Sequence, residues 1–193
     1  DYGDGTTINY NGDYSHTYSV SGTYTIRIYG VTSLTNSCFR DCSGLTSVVI
    51  PDSVTSLGDY CFGDCSGLSN VVISEGVTSL APYCFYECTN LTSIVIPNTV
   101  TSIGDACFRG CASLTNIVIP DSVTSIGLYC FQVCTSLTSI VIPESITSLK
   151  GYCFEGCSSL TNIHLKWSSS TDIIQYNSYW VNNPDTNVKF IIP

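Results

Sequence analysis

A box of the form Cys-Phe-x-x-Cys recurs every 23 residues in this 193-residue chain and contains its most reactive side chains. Thiols at this density could ligate zinc or an iron–sulfur cluster, pair as disulfides, or pack as small apolar side chains. These alternatives need different geometries, so the elements that present the boxes decide between them. The six boxes hold all twelve Cys residues and begin at Cys38, Cys61, Cys84, Cys107, Cys130 and Cys153.

The boxes are part of a longer repeat with the same period. Each full unit opens with an apolar Leu-x-x-Val/Ile-x-Ile pattern, continues with a second apolar pair, and closes with the box. A unit this short cannot bury its apolar side alone, so successive units must stack. The leading Leu column is Leu45, Leu68, Leu91, Leu114, Leu137 and Leu160. An incomplete unit, Val31 to Cys42, precedes the first full one.

We therefore predict a repeat solenoid with a parallel β-sheet along one side, short helical turns confined to the boxes, and β-rich caps at both ends. A strand spacing of about 4.8 Å gives a stack roughly 25 to 30 Å long. Pro51 and its equivalents end the strand pairing because proline removes a donor, while Gly58 and Gly104 mark a tight turn at a fixed point.

Residues 45–165 resemble the leucine-rich repeats of the BspA-like surface-protein family, as in the unit LTSIVIPNTVTSIGDACFRGC from Leu91 to Cys111. That family usually has Ala before the Phe, where this chain has Cys. The resemblance implies an extracellular or cell-surface location. Residues 3–29, with GDGT, HTY and GTYT, are similar to the second half of a PKD-type β-sandwich. The expected domains are a PKD-like N-terminal cap (1–30), the leucine-rich-repeat solenoid (31–166) and a C-terminal cap (167–193).

Stacking decides between the uses of the thiols. It places Cys61 between Cys38 and Cys84, so two columns of six sulfurs run along the solenoid. Zinc and iron–sulfur sites need ligands that converge on one point, which continuous columns do not provide. Disulfides are the second interpretation, although parallel Cβ directions oppose closure. We favour free thiols buried behind the Phe, and we predict no cofactor or metal. So many free thiols indicate a cytosol or an anoxic exterior, and the family resemblance favours the exterior.

Composition excludes several classes of partner. The net charge is -9, and the six Lys and Arg residues are scattered, so we expect no nucleic acid or anionic membrane surface as a partner. No apolar run approaches the roughly 20 residues that span a bilayer, so this segment should not insert into one. The first residues do not resemble a signal peptide and the chain has no Met, so we expect an internal piece of a longer protein.

Catalysis has little support in the sequence. His16 lies in HTY, and His164 occupies a strand position that is Val in the other full units. We find no paired carboxylates, nucleophile elbow, phosphate-binding Gly loop or zinc motif, and we predict that the chain is not an enzyme. Asp4 in GDGT is more consistent with a tight turn than with a calcium site, which needs six to eight oxygens.

A row of outward side chains is the best candidate for a binding site. Period two turns Val48 and Ile50 inward and the residue between them outward, beside a row of alternating Ser and Asn. Val is also enriched in strands regardless of binding. The candidate ligand-binding face consists of Val49, Val72, Val95, Val118, Val141, His164, Asn70 and Asn116.

We therefore predict a non-catalytic extracellular recognition or adhesion segment that displays a flat β face to a protein or glycan ligand on another cell, a host or a matrix. The alternatives are a passive rigid stalk or spacer in a larger surface protein, and the receptor-binding part of a viral or secreted appendage. Two other rows, the Tyr residues before the boxes and the variable pair inside each box, fit packing and drift at a solvent-facing turn as well as recognition.

Overall fold

The computed structural model describes residues 30–146, 149–166 and 189–191. The chain divides into two compact units, Asp1–Val31 and Thr32–Pro193, and nearly all described residues lie in the second. The PKD-like cap predicted for residues 1–30 lies outside the described residues apart from Gly30. The C-terminal cap predicted for residues 167–193 is described only at 189–191.

Short strands account for the regular structure of the described residues. In chain order they are β1 (Ser33–Leu34), β2 (Ser47–Ile50), β3 (Ser56–Leu57), β4 (Asn70–Ile73), β5 (Ser79–Leu80), β6 (Ser93–Val95), β7 (Ser102–Ile103), β8 (Asn116–Val118), β9 (Ser125–Ile126), β10 (Ser139–Ile142), β11 (Asn162–Leu165) and β12 (Lys189–Ile191). The longer strands form one parallel sheet of seven, in the order β2-β4-β6-β8-β10-β11-β12. The two-residue strands pair in parallel as β1-β3 and β5-β7-β9.

The register of the large sheet confirms the predicted solenoid with units of about 23 residues. Val49 pairs with Val72, and Val72 pairs with Val95, so each strand lies beside the same strand of the next unit. The last pairing departs from this period, because Asn162 of β11 lies opposite Lys189 of β12. The sheet therefore continues by one strand beyond the last recognisable repeat.

The core is a stack of nearly identical layers. The inward strand residues Val71 and Ile73 are buried, and the Phe of each full unit is completely buried. Successive Phe rings lie parallel, with centroids 5.3 to 5.7 Å apart and planes inclined by 3 to 5°. This apolar burial supplies most of the driving force for stacking. The Phe column consists of Phe39, Phe62, Phe85, Phe108, Phe131 and Phe154.

Tight turns connect the strands at fixed points of each unit. The N–H of Val54 donates to the carbonyl of Pro51 over 2.9 Å, and the same turn follows the strands of later units. At the next corner, a Cβ on Gly58 would overlap the backbone of Thr35 and Asn36 in the preceding unit. Glycine is needed there because successive backbones approach each other so closely.

The boxes differ from the short helical turns expected from the sequence: among the described residues they are irregular turns. Tyr60 and Asp64 adopt positive φ angles of 54 and 60°, and the equivalent residues of other units do the same. The N–H of Phe62 consequently points along the stack and donates to the carbonyl of Cys84 over 2.8 Å. A helical turn would direct that N–H back into its own unit. The described part of the chain has no helix of the length and apolar character needed to cross a membrane.

Candidate binding face

The outward valines form one continuous row across the sheet. Their exposed fractions range from 41 to 75%, with the largest value at Val95. At the end of the row His164, which pairs with Val141, is half-buried. We call this row the valine stripe, and its members are Val49, Val72, Val95, Val118 and Val141. The structure thus places these valines outward, and their role in binding remains a prediction.

A polar row runs beside the stripe. Ser47 pairs with Asn70, Asn70 with Ser93 and Ser93 with Asn116, and all four residues are exposed. The side-chain amides of Asn70 and Asn116 make no hydrogen bond within the described residues. They can donate to and accept from a ligand lying on the stripe.

A third row, which sequence reasoning missed, borders the other side of the stripe. It lies on the turns that follow the strands, one residue after Pro51 and its equivalents, and its side chains are exposed. We call it the acidic rim; its members are Asp52, Glu75, Asp121 and Glu144, with Asn98 between the second and third. The rim has the same period of 23 residues as the valines. Its signal in the sequence is the column of residues three positions after the outward valines.

Many hydroxyl groups elsewhere on the surface donate hydrogen bonds within the solenoid. The Oγ1 of Thr101 donates to the carbonyl of Thr78 over 3.2 Å, and the Oγ of Ser122 donates to the carbonyl of Val100 over 2.7 Å. Similar bonds recur at four positions of the repeat, each to the preceding unit. These rows therefore connect the units to one another and offer fewer free donors than the polar row.

The thiols form the two predicted columns, and all twelve are free. In the second column, each Sγ from Cys65 to Cys157 lies 2.9 to 3.2 Å from the carbonyl oxygen of the Phe in the preceding unit, as Cys111 does with Phe85. Burial raises the pKa of Cys107 to about 12, so its thiol stays protonated at neutral pH. No cluster of three or more metal-ligating side chains occurs among the described residues.

The expectation that every thiol is buried is wrong for the first box. Cys38 and Cys42 are exposed, whereas the other ten Cys residues are buried. A thiol in the middle of the stack is covered by the units on both sides of it. The first box has a following unit, and the described residues provide no preceding one.

Tyr side chains line the surface above the boxes and pack mainly on one another. The rings of Tyr60 and Tyr83 are stacked, with centroids 4.4 Å apart, and those of Tyr129 and Tyr152 are stacked at 5.4 Å. The guanidinium of Arg40 lies 4.6 Å from the centroid of the Tyr60 ring. These half-buried rings have much of their faces covered, which favours packing over sugar binding for this row.

The chain was compared with known families and structures. The model of the BspA type leucine rich repeat region matches residues 11–112 and 78–190, in six copies. A leucine-rich repeat protein of T. pallidum is 28% identical, with a TM-score of 0.66 over 73% of this chain and 69% of that protein. One from Bacteroides ovatus is 29% identical, with a TM-score of 0.68 over 89% of this chain and 45% of that protein.

A leucine rich cell surface protein from Faecalibacterium prausnitzii is 25% identical, with a TM-score of 0.56 over 84% of this chain. This chain spans only 51% of that protein. A comparison with curated protein sequences returned no match. The family match covers most of the chain, and the solved neighbours are leucine-rich repeat proteins. The chain therefore belongs to the BspA-type leucine-rich repeat family.

Proposed function

We propose that this chain is a non-catalytic recognition segment, displayed outside the cell or at its surface, whose sheet face binds a protein or glycan ligand. The exposed valine stripe is the observation that carries the proposal. The family match supports a protein-binding role. The F. prausnitzii neighbour, described as a cell surface protein, supports the location.

The stripe is more than a by-product of strand formation. Two side chains of each strand in the large sheet from β2 to β11 face outward, and the first of the two is Ser or Asn in all of them. At this first outward position the strands therefore form without a β-branched residue. A monomer seldom leaves a contiguous row of aliphatic side chains in water unless a partner covers it. Removing this row from water would contribute to binding by the hydrophobic effect.

The main alternative function is a passive rigid stalk. A solenoid is stiff along its axis, and a stalk needs no ligand. A receptor-binding part of a viral or secreted appendage would use the same face as the proposed segment. A direct binding measurement distinguishes recognition from spacing, because a stalk has no saturable site.

The experiment uses fluorescently labelled protein with intact epithelial and bacterial cells, and with arrays of immobilised matrix proteins and glycans. We expect saturable binding by the natural chain and at least a tenfold loss for V95R/V118R, which places two charges in the contact. Melting of this variant should change little, since exposed substitutions usually alter stability by less than about 0.5 kcal/mol.

The matched control is L128R/V133R. It replaces two other exposed apolar residues, 38 and 42% exposed, that lie at the turns and boxes and not on the sheet. It should bind like the natural chain. Unfolding of V95R/V118R would show that the valines face inward. A folded V95R/V118R with full binding would move the site elsewhere, and a natural chain that binds no probe would favour the stalk.

A further inference from the structure

The sheet face has unequal borders on its two sides. The polar row on one side carries no formal charge from Ser47 to Asn162. The acidic rim on the other side carries four carboxylates over five units. A strand advances about 3.3 Å per residue and the turn shortens this path, so each carboxylate-bearing residue lies no more than about 10 Å from the valine of its own unit. The Debye length at physiological salt is about 8 Å, so the charge of the rim is partly screened at the stripe and acts most strongly on ligand groups that extend towards the rim.

Most carboxylates of the rim have no cationic partner. Lys166 lies 3.4 Å from Asp121. Asp52, Glu75 and Glu144 make no ion pair in the part of the chain that the structure describes. All are exposed, so they stay hydrated and available to an approaching charge.

Apart from Lys166 beside Asp121 and Lys189 in β12, the cations of the described residues lie away from the sheet face. Arg40 is 3.2 Å from Asp64, and Lys150 is 3.8 Å from Asp105, on or near the boxes. From β2 to β10 the outward positions of the sheet carry no Lys or Arg. The stripe and its rim thus present an apolar and anionic surface, in a chain whose net charge is already -9.

We propose that the partner of the sheet face is a protein segment with aliphatic side chains flanked by Lys or Arg. This inference rests on the proposed function, because it names the ligand class of the same face. Aliphatic side chains can displace water from the valines, and the flanking cations pair with Asp52, Glu75 and Glu144. The complementary charge also speeds the encounter between the partners.

The other occupants fit this surface less well. A neutral glycan would leave the carboxylates unpaired and would set hydroxyl groups against valines, where they lose hydrogen bonds to water. An acidic glycan or nucleic acid would be repelled by the rim. A second copy of this chain would bring its own acidic rim to the contact. A protein segment with aliphatic and cationic side chains can both cover the valines and pair with the carboxylates of the rim.

The test uses the intact chain and a short synthetic peptide of alternating Val and Lys. Control probes are a Val-Glu peptide, a Ser-Lys peptide and a chitin oligosaccharide, and affinities are measured by calorimetry at low and high salt. We expect the Val-Lys peptide to bind most tightly and to weaken as salt is added. V95R/V118R should abolish this binding.

Paired charge variants locate the electrostatic contribution. D52N/E75Q removes two rim carboxylates, and D59N/E87Q makes the same two chemical changes near the boxes. Each exposed ion pair contributes modestly, so we expect D52N/E75Q to lose about three- to tenfold in affinity, and D59N/E87Q to stay within about twofold of the natural chain. Equal affinities of the two variants would overturn the inference, because the effect of removing a carboxylate would then not depend on its position on the surface.

The same variants separate this inference from the proposed function. If cell or array binding is lost in V95R/V118R but unchanged in D52N/E75Q, the face binds a ligand that is not cationic, and only the inference fails. Tighter binding of the oligosaccharide, or of the Ser-Lys peptide, than of the Val-Lys peptide would also overturn the inference. If V95R/V118R retains binding to every probe, the proposed function fails as well.

Discussion

The first box and the box in the middle of the stack have the same backbone but different surroundings. Ser37 and Asp41 have φ angles of 57 and 61°, and the equivalent Ala106 and Gly110 have angles of 50 and 75°. Four different residue types thus adopt one left-handed backbone conformation. A non-glycine residue adopts this conformation only under a structural constraint, here the hydrogen bonds to the following unit.

Burial differs between the two boxes despite this shared geometry. Cys107 and Cys111 of the middle box are completely buried, whereas Cys38 and Cys42 are exposed. The repeat pattern and one neighbouring unit are enough to set the backbone of a box. In the middle box, units on both sides exclude water from the thiols and the Phe ring. Stability in such a stack is therefore a property of the interfaces between units.

Thiol accessibility gives the largest expected contrast between the boxes. In native protein isolated without air, a small alkylating reagent should label Cys38 and Cys42 directly. The ten buried thiols should react only when the stack opens. Opening costs several kcal/mol, so labelling of the ten should be roughly a thousandfold slower or more. Time-resolved mass spectrometry measures both groups.

Unfolding without reductant provides the control for this experiment, since all twelve thiols should then react. Fewer than twelve labelled residues would reveal disulfides. Fast labelling of Cys107 in the folded protein would contradict the prediction, because the thiols in the middle of the stack would then be as accessible to the reagent as those of the first box.

Loss of a ring should also affect the two boxes unequally. F108A removes a completely buried side chain and should destabilise the protein by about 3 to 5 kcal/mol through cavity formation. F39A removes a half-buried ring and should cost about half as much. Urea unfolding gives both values, and hydrogen exchange should increase first in the units next to the change. Equal losses for both variants, or uniform exchange along the solenoid, would contradict the nearest-neighbour description.

Much of the fold could be predicted from the sequence because the repeat is nearly strict. The 23-residue period gives the stack, and period two within each strand gives the outward valines. The conformation of the boxes was not predicted. Cys61 and Cys65 are four residues apart, as on a helical turn, and only the hydrogen bonds between units favour the left-handed residues. The exposure of Cys38 was missed because burial depends on the neighbouring unit and not on the residue type.

The candidate site was predicted in part. The valine stripe follows from the repeat, but its use in binding cannot be read from one sequence, since Val also favours strands. The acidic rim was overlooked because its members alternate between Asp and Glu and are interrupted by Asn98. These residues are recognised as one row beside the stripe only from their shared position on the turns that follow the strands.

Alkaline pH should distinguish the boxes by a smaller effect. Burial raises the pKa of Cys61, Cys107 and Cys153 from 9.0 to about 12. Between these values the unfolded chain releases thiol protons that the folded chain retains, so stability is complete below pH 9 and falls as pH rises towards 12. A fully buried thiol contributes up to about 1.4 kcal/mol per pH unit in this window.

Two double variants isolate the contribution of the thiols from other effects of alkaline pH. C107A/C111A removes two buried thiols and should make the alkaline fall in stability shallower. C38A/C42A removes two exposed thiols, whose pKa values are raised by their partial burial, and should change the slope less. Urea titrations at intervals from pH 8 to pH 11 measure the slopes. Identical slopes for the two variants would mean that the middle thiols are no better shielded from water than those of the first box.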